Sequence, residues 1–490
     1  MTSGNLALGT IYMMISGLVF IISNSLINIG VAHLLSPELY GIFGIVMSFN
    51  YINWVLINSA SLASARFIAG SNKLFYSIFK AALKLQAIQA VFFSLLYILG
   101  SGIIANLLND PSLRNYIIAV GIMLIPNAFL TLYLDGFYGG LCKFKQRAYL
   151  NIFFSVGKVI FSGIFIYFGF KIFGLLLGYF LAIILALLIG IYKLKVKSNY
   201  AQSCSTETFE SKKIFYFALP IAIATLAFTL IKNSPIIFIK FFLQDNLQAS
   251  FFNAANTLAG IPYAIFTALA FTLLPVISKS ALENNFPAIR NYILKSFRYL
   301  FIFLMPIIAL MIPTSRELIT LFYPPLYLDA APVLNILLIN VSVIIVYTSF
   351  RSIIIGLGRP MAETIISLTS FAILCILSAL MIPKGGIIGA AWASLISSTT
   401  AFILGSIYIF KQHAAFINLK SVLKIFFCSA VIYHIIAAWH HSGLFLIINY
   451  LILLSLYALL LYLFGELTAE DLNLVKAIYQ KMFKNAVLHK

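Results

Sequence analysis

Residues 215–242 read FYFALPIAIATLAFTLIKNSPIIFIKFF, a stretch that is long and apolar enough to cross a bilayer but carries a lysine in its middle. This lysine is Lys232, and Asn233, Ser234 and Pro235 follow it. A charge at the centre of a membrane helix costs about 2.5–3.5 kcal/mol, so Lys232 is expected to face a polar cavity or a partner rather than lipid. Lys232 is therefore a candidate functional residue.

The composition of the whole chain places this stretch in a membrane protein. Of the 490 residues, 62% are hydrophobic and only 9% are charged, whereas about 25% of a soluble domain is charged. The net charge of +19 agrees with basic residues that flank membrane spans and contact anionic lipids. Because there is no soluble basic domain, nucleic acid is not an expected partner.

The apolar stretches predict an all-α polytopic membrane protein with about 14 transmembrane helices. Each span needs about 20 apolar residues to cross a hydrocarbon core of about 30 Å. The predicted spans are 8–34, 39–64, 82–107, 115–139, 149–169, 172–192, 214–242, 248–277, 296–312, 330–356, 363–383, 387–410, 421–439 and 442–465.

The distribution of lysine and arginine predicts the orientation of these spans. Most of the 32 basic residues fall in the loops and the tail on the side of the N-terminus. The other side has one basic residue in each of a few loops: Arg114, Lys171, Lys240, Arg316 and Lys384. Because basic residues favour the cytosolic side, both termini are predicted to be cytosolic. Lys158 and Lys232 remain inside the membrane.

Weak internal sequence matches predict that the second half of the chain repeats the architecture of the first half. The segment after Phe242 resembles the segment after Leu34, and Gly174-Leu-Leu-Leu-Gly178 is matched by Gly389-Ala-Ala-Trp-Ala393. Six spans per half give two parallel lobes around a central cavity, which is typical of alternating-access transporters. The predicted division is 1–195 for the N-lobe, 196–213 for a cytosolic linker, 214–410 for the C-lobe, 411–467 for two extra helices and 468–490 for a cytosolic amphipathic tail.

Buried cations are the strongest candidates for a substrate site. Lys158 and Lys232 lie near mid-membrane, and Arg351 lies toward the inner end of its span. Against them we count one comparable carboxylate, Asp135, so the cavity should attract an anion. The alternatives are that Asp135 neutralises a lysine or that the cations snorkel to an interface. Asp135 itself could form an ion pair, have a structural role or bind a coupling ion.

Amides in the first span could bind a sugar headgroup. Asn24 and Asn28 are the main candidates, and interhelical hydrogen bonds are the alternative role for them. We find no nucleophile triad, no metal-ligand cluster and no phosphate-binding loop, so neither an enzyme nor a cofactor nor a metal is expected. The four cysteines form no paired motif.

Three longer motifs resemble a known transporter family. They are Leu35-Ser36-Pro37-Glu38-Leu39-Tyr40-Gly41, Leu326-Tyr327-Leu328-Asp329-Ala330-Ala331-Pro332, and Gly356-Leu357-Gly358-Arg359-Pro360 with Pro383-Lys384-Gly385-Gly386 downstream. With these motifs the chain resembles the polysaccharide transporters and O-antigen flippases of the multidrug, oligosaccharidyl-lipid and polysaccharide exporter superfamily. It is less similar to the lipid II flippases, because its first two spans carry no basic residue before Arg66.

The resemblance implies export of an undecaprenyl-diphosphate-linked oligosaccharide across a bacterial cytoplasmic membrane, as in lipopolysaccharide synthesis. Lys232, Lys158 and Arg351 would hold the anionic headgroup. The implied partners are membrane lipids, the lipid-linked oligosaccharide and possible glycan polymerase and ligase machinery. One alternative is a multidrug exporter of the same superfamily, which would need buried carboxylates for organic cations. The other is a membrane glycan polymerase or glycosyltransferase, which would need catalytic residues on long outer loops.

Overall fold

The computed structural model describes residues 3–70, 75–194, 209–283, 285–413, 419–438, 443, 445–467 and 471. Within these ranges the chain forms helices and no β-strand. Twelve stretches of the described residues are long and apolar enough to cross a membrane. The prediction of an all-α polytopic membrane protein is confirmed.

The first seven helices carry most of the predicted features. They are α1 (Ser3–Leu34), α2 (Pro37–Gly70), α3 (Phe75–Leu107), α4 (Leu113–Thr131), α5 (Phe144–Tyr167), α6 (Lys171–Leu194) and α7 (Ser211–Leu243). A π-helical segment, Leu132–Tyr138, continues α4 directly and contains Asp135. Such segments are uncommon and often occur at functional sites.

The remaining helices complete the predicted set of spans. They are α8 (Asn246–Leu282), α9 (Phe286–Met311), α10 (Ser315–Phe322), α11 (Ala331–Gly356), α12 (Pro360–His413), α13 (Leu419–Ala438) and α14 (Phe445–Leu463), with a 3₁₀ turn at Pro325–Ala330. Each of the predicted spans falls on one of these helical stretches.

Two predicted spans, 363–383 and 387–410, lie in one helical stretch that reverses at Gly386. The φ angle of Gly386 is +57°, in the region that favours glycine, and the rest of α12 is helical. Beyond this residue the chain folds back on itself, as shown by the Ser397 hydroxyl, which donates a hydrogen bond to the Ser370 carbonyl at 2.7 Å. Gly386 therefore makes a tight turn between two antiparallel spans.

The chain divides into two compact units. The first consists of Met1–Leu258 and Arg359–Ala401, and the second of Ala259–Gly358 and Phe402–Lys490. The division into lobes at 1–195 and 214–410 stays a prediction. So does the cytosolic position of the termini. The predicted linker lies mostly outside the described residues, and so does the predicted tail apart from Asp471.

In the first unit, neighbouring helices pack in pairs that position the polar residues described below. The closest pairs are α5 with α6, α3 with α4, α2 with α7 and α1 with α5. A buried cluster joins α2, α3 and the π-helical segment, and the Phe79 and Phe137 rings lie 4.5 Å apart in it. Aromatic pairs of this kind contribute about 0.5–1.5 kcal/mol beyond the area that they bury.

In the second unit, α13 and α14 pack against α9 through a common hydrophobic cluster. Pro306 has no N–H and therefore leaves the carbonyl of Ile302, four residues earlier, without its helical partner. The hydroxyl of Tyr457 on α14 donates to this carbonyl at 3.0 Å. On the same helix, Arg298 pairs with Glu466 and with Asp471, both at 2.8 Å. These contacts hold α13 and α14 against α9.

Candidate functional site

Lys158 is the most enclosed charged residue of the predicted site. It lies near the middle of α5, and only 1% of it is exposed. Its ammonium group donates a hydrogen bond to the side-chain oxygen of Asn24 on α1, so the site depends on the α1–α5 contact. Three aromatic rings surround the ammonium group at 4.4–5.4 Å, those of Phe20, Tyr179 and Phe154. Aromatic faces at this distance attract a cation.

Lys158 and Asn24 line a cavity of about 370 Å³ that lies entirely in the first unit. A cavity of this size lies within the range of small-molecule sites, about 300–1,000 Å³. Helices α1, α2, α4, α5 and α6 contribute to its wall. The other polar or aromatic lining residues include Asn50, Tyr51, Trp54, Asn127, Thr131 and Asn151.

A second charged pair lines the same cavity. Asp135 on the π-helical segment accepts a hydrogen bond from Arg147 in the first turn of α5, at 2.5 Å. The two side chains are 17% and 26% exposed, so this ion pair is partly open. Asp135 is thus ion-paired with Arg147, and its role as a ligand for a coupling ion stays a prediction.

The charges of the cavity wall do not cancel. Asp135 and Arg147 neutralise each other, whereas Lys158 contacts an amide and three rings. Among the described residues, no carboxylate pairs with Lys158. When protonated, Lys158 is therefore the one unbalanced charge in the described part of the wall. A buried cation without a counter-ion is costly, so such a site should attract an anionic ligand.

The structure brings only some of the predicted site residues together. The side chain of Asn28 donates to the backbone carbonyl of Asn24 at 2.9 Å, one helical turn away. Lys232 is half-buried on α7 in the first unit, and Arg351 is half-buried on α11 in the second unit. Neither of them lines this cavity. Their roles in substrate binding stay predictions.

The structure adds two details to the charge count made from the sequence. Lys240 was counted with the outer loops; it lies on α7, is 2% exposed and pairs with Asp110 at 3.0 Å, and its side of the membrane stays a prediction. The count of a single buried carboxylate is wrong. Asp110 and Glu363 are buried, and Glu363 accepts a hydrogen bond from the Ser367 hydroxyl at 2.8 Å. The excess of buried positive charge is therefore smaller than the sequence indicated.

Several lining residues were not singled out in the sequence. Arg147 was assigned to an inner loop, but α5 begins at Phe144 and includes it. The side chain of Asn151, one turn further, donates to the carbonyl of Ser16 on α1 at 3.2 Å. Positions 147, 151, 154 and 158 are spaced by three or four residues, which places them on one face of a helix. This spacing was the sequence signal that could have identified Arg147 and Asn151 as residues of the same site as Lys158.

The fold matches several solved structures of transporters. The fold matches the lipid II flippase MurJ in an inward closed conformation with a TM-score of 0.74 and 14% identity, over 94% of this chain and 99% of that one. It matches an inward-facing multidrug resistance transporter of the MATE family, in the MOP superfamily, with a TM-score of 0.68 and 15% identity, over 83% and 98% of the two chains. A MOP superfamily transporter from Pyrococcus furiosus, whose binding pocket is described as having reverse polarity, matches with a TM-score of 0.61 and 14% identity over 84% and 94%. The chain therefore shares the fold of these transporters.

Sequence comparison assigns the chain more narrowly. The family model for polysaccharide biosynthesis proteins matches residues 31–332, and the chain belongs to this family. An uncharacterized membrane protein of Methanocaldococcus jannaschii, MJ1068, is 28% identical over 189 residues. That match covers 38% of this chain and 37% of the relative, so the chain spans about a third of the relative's length. The resemblance described in the sequence is confirmed.

Proposed function

We propose that this protein is a flippase that moves a lipid-linked oligosaccharide from the cytosolic to the outer leaflet by alternating access. Buried Lys158, with an amide and aromatic rings but no described carboxylate around it, carries the proposal. The substrate is an undecaprenyl-diphosphate oligosaccharide of a bacterial cytoplasmic membrane, as in O-antigen synthesis. Polymerase and ligase machinery would use the exported glycan.

The chemistry of the cavity suits a sugar headgroup. Each unpaired hydroxyl in hydrocarbon costs several kcal/mol, so a headgroup needs a polar enclosure while its isoprenoid tail stays in lipid. Asn50, Asn127 and Asn151 offer amide donors and acceptors, and Trp54 and Tyr51 offer flat apolar faces. Lys158 provides a positive charge for an acidic sugar or a phosphate.

The membrane potential favours this direction of transport. An inside-negative potential drives negative charge outward by about 2.3 kcal/mol per charge for every 100 mV. Export of an anionic headgroup therefore needs no nucleotide in this proposal. Coupling to protons or sodium ions would appear as a loss of flipping when the ion gradients are collapsed.

A drug exporter of the same superfamily is the other candidate, because the fold matches a MATE transporter. An organic cation would require an available carboxylate in the cavity. Asp135 is the carboxylate of this wall, and Arg147 pairs with it. The cavity is therefore better suited to an anion.

The test is leaflet flipping of a fluorescent undecaprenyl-diphosphate oligosaccharide in proteoliposomes. We expect Lys158→Met to reduce flipping at least about tenfold, because the loss of one charge-assisted contact has this size. Lys145→Met removes an exposed lysine from the first turn of the same helix and is the matched control. Equal flipping by both variants, or export of an organic cation in place of the glycan, would contradict the proposal.

A further inference from the structure

The loop between α3 and α4 contains a buried carboxylate that ties together three parts of the first unit. After Leu107, Asn109 adopts a positive φ of 47° and turns the chain. Asp110 then accepts hydrogen bonds from the backbone N–H and the hydroxyl of Ser112, at 3.1 and 2.6 Å, just before α4 begins. One oxygen of Asp110 is thus used within its own loop.

The other oxygen of Asp110 contacts the end of α7 and the start of α8. It accepts from the Lys240 ammonium group at 3.0 Å and from the Asn246 amide at 2.9 Å. Gln244 between the two helices has a left-handed backbone, and Asp245 accepts from the backbone N–H of Leu247 at 2.7 Å. This short turn holds Lys240 and Asn246 on the same side, facing Asp110.

The same turn packs tightly on α2. A Cβ atom at Gly41 would overlap the carbonyl oxygen of Asn246, and one at Gly44 would lie 2.7 Å from the side chains of Asn253 and Ile236. Only glycine permits this approach of the two backbones. The contact behind Asp110 is therefore close, and Ser250 in it is fully buried.

We propose that Asp110, Lys240 and Asn246 form a latch that must release before the protein can open on the side predicted to be outside. By the sequence repeat, α7 and α8 begin the second half of the chain, whereas Asp110 and Gly41 belong to the first half. A transporter that alternates between two openings has to separate such halves at one end. Charge-assisted hydrogen bonds are about twice as strong as neutral ones, so a buried ion pair with extra hydrogen bonds can hold such a contact closed until its partners separate.

The inference rests on the proposed alternating access for its role in transport, but the latch itself can be measured without a substrate. The reporter is Ser250→Cys in a chain whose native cysteines, Cys142, Cys204, Cys375 and Cys428, are replaced by serine. A membrane-impermeant maleimide added to proteoliposomes should label this reporter thiol only when α2 and α8 separate.

We expect Asp110→Asn and Lys240→Met each to raise the labelling rate at least about tenfold, since each removes a charge-assisted contact. Lys240→Arg keeps the positive charge and should raise the labelling rate less than Lys240→Met does. Arg114→Met is the matched control, because Arg114 is an exposed basic residue near Asp110 on α4, and it should leave labelling unchanged.

Unchanged labelling in Asp110→Asn and Lys240→Met would overturn the latch. If those variants do not elute as folded protein, Asn246→Leu decides the question, because it removes only the amide donor and should still increase labelling. If the latch variants raise the labelling rate as expected but the unmodified protein flips no glycan, only the proposed function is contradicted. Flipping with unaffected labelling of the reporter thiol in all variants would contradict the latch alone.

Discussion

Lys158 and Lys240 are two lysines of the same compact unit with almost the same burial but different surroundings. Lys240 pairs with a carboxylate that has further donors, so its charge is fully used inside the protein. Lys158 contacts an amide and three rings, and it faces a cavity. Burial of a lysine therefore does not identify a binding site. The presence or absence of a counter-ion separates a structural lysine from one that can bind a ligand.

The largest effect that we expect concerns stability. Asp110→Ala leaves Lys240 buried and unpaired, and should lower the free energy of unfolding by about 3–5 kcal/mol. Lys158→Met replaces an ammonium group by an apolar group of similar length, and should change stability by less than about 1.5 kcal/mol. Reversible unfolding in mixed detergent micelles measures both. Equal losses in the two variants would mean that Lys158 is also a structural residue.

A smaller effect should follow when the two sites are made alike. Asn24→Asp gives Lys158 a carboxylate partner, as Lys240 already has in Asp110. We expect glycan flipping to fall about tenfold, because the new ion pair competes with the anionic headgroup. The folded protein should be no less stable than the unmodified one. Asn28→Asp, one turn away, is the control and should affect flipping less. Unchanged flipping in Asn24→Asp would separate Lys158 from substrate binding.

The smallest effect should be the pH dependence of the latch. Burial raises the pKa of Asp110, but hydrogen bonds from Ser112, Asn246 and Lys240 and the charge of Lys240 outweigh it, so the pKa is lower than usual. A carboxylate with a lowered folded-state pKa stabilises the fold above its unfolded pKa, about 3.9, and loses this contribution as the pH falls through the folded value. The fraction of open latch, measured as labelling of the reporter thiol relative to an unfolded standard, should therefore be constant from about pH 8 to about pH 5. An increase within this range would show that another titrating group controls the latch.

The sequence was sufficient to predict where the helices lie in the chain, but not which helices pack against each other. Apolar length predicted every span, including the two that meet at Gly386, because hydropathy depends only on the residues in one stretch. Asn24 and Lys158 were each selected for polarity at membrane depth. Their hydrogen bond joins residues 134 positions apart, and no pattern in a single sequence reports which helices pack together.

The same limit explains why Lys240 and Arg147 were counted with the loops. Lys240 lies close to the end of an apolar stretch, where a lysine normally reaches water. Its partner Asp110 lies in a loop 130 positions earlier, so the pair becomes visible only when α3, α4 and α7 are packed. Arg147 was assigned to a loop because hydropathy marks the apolar part of a helix and misses its polar first turn. Helix ends are the least certain part of such predictions.

The hydrogen bond between the Tyr457 hydroxyl and the Ile302 carbonyl joins two residues that are synthesised far apart in time. Tyr457 is synthesised 155 residues after Ile302, so α9 enters the membrane before its donor exists. Until α14 has been synthesised, the carbonyl released by Pro306 lacks this hydroxyl partner. The contact of α9 with α14 through this hydrogen bond can therefore form only after α14 has been synthesised. A nascent chain that stops before Tyr457 lacks this hydroxyl.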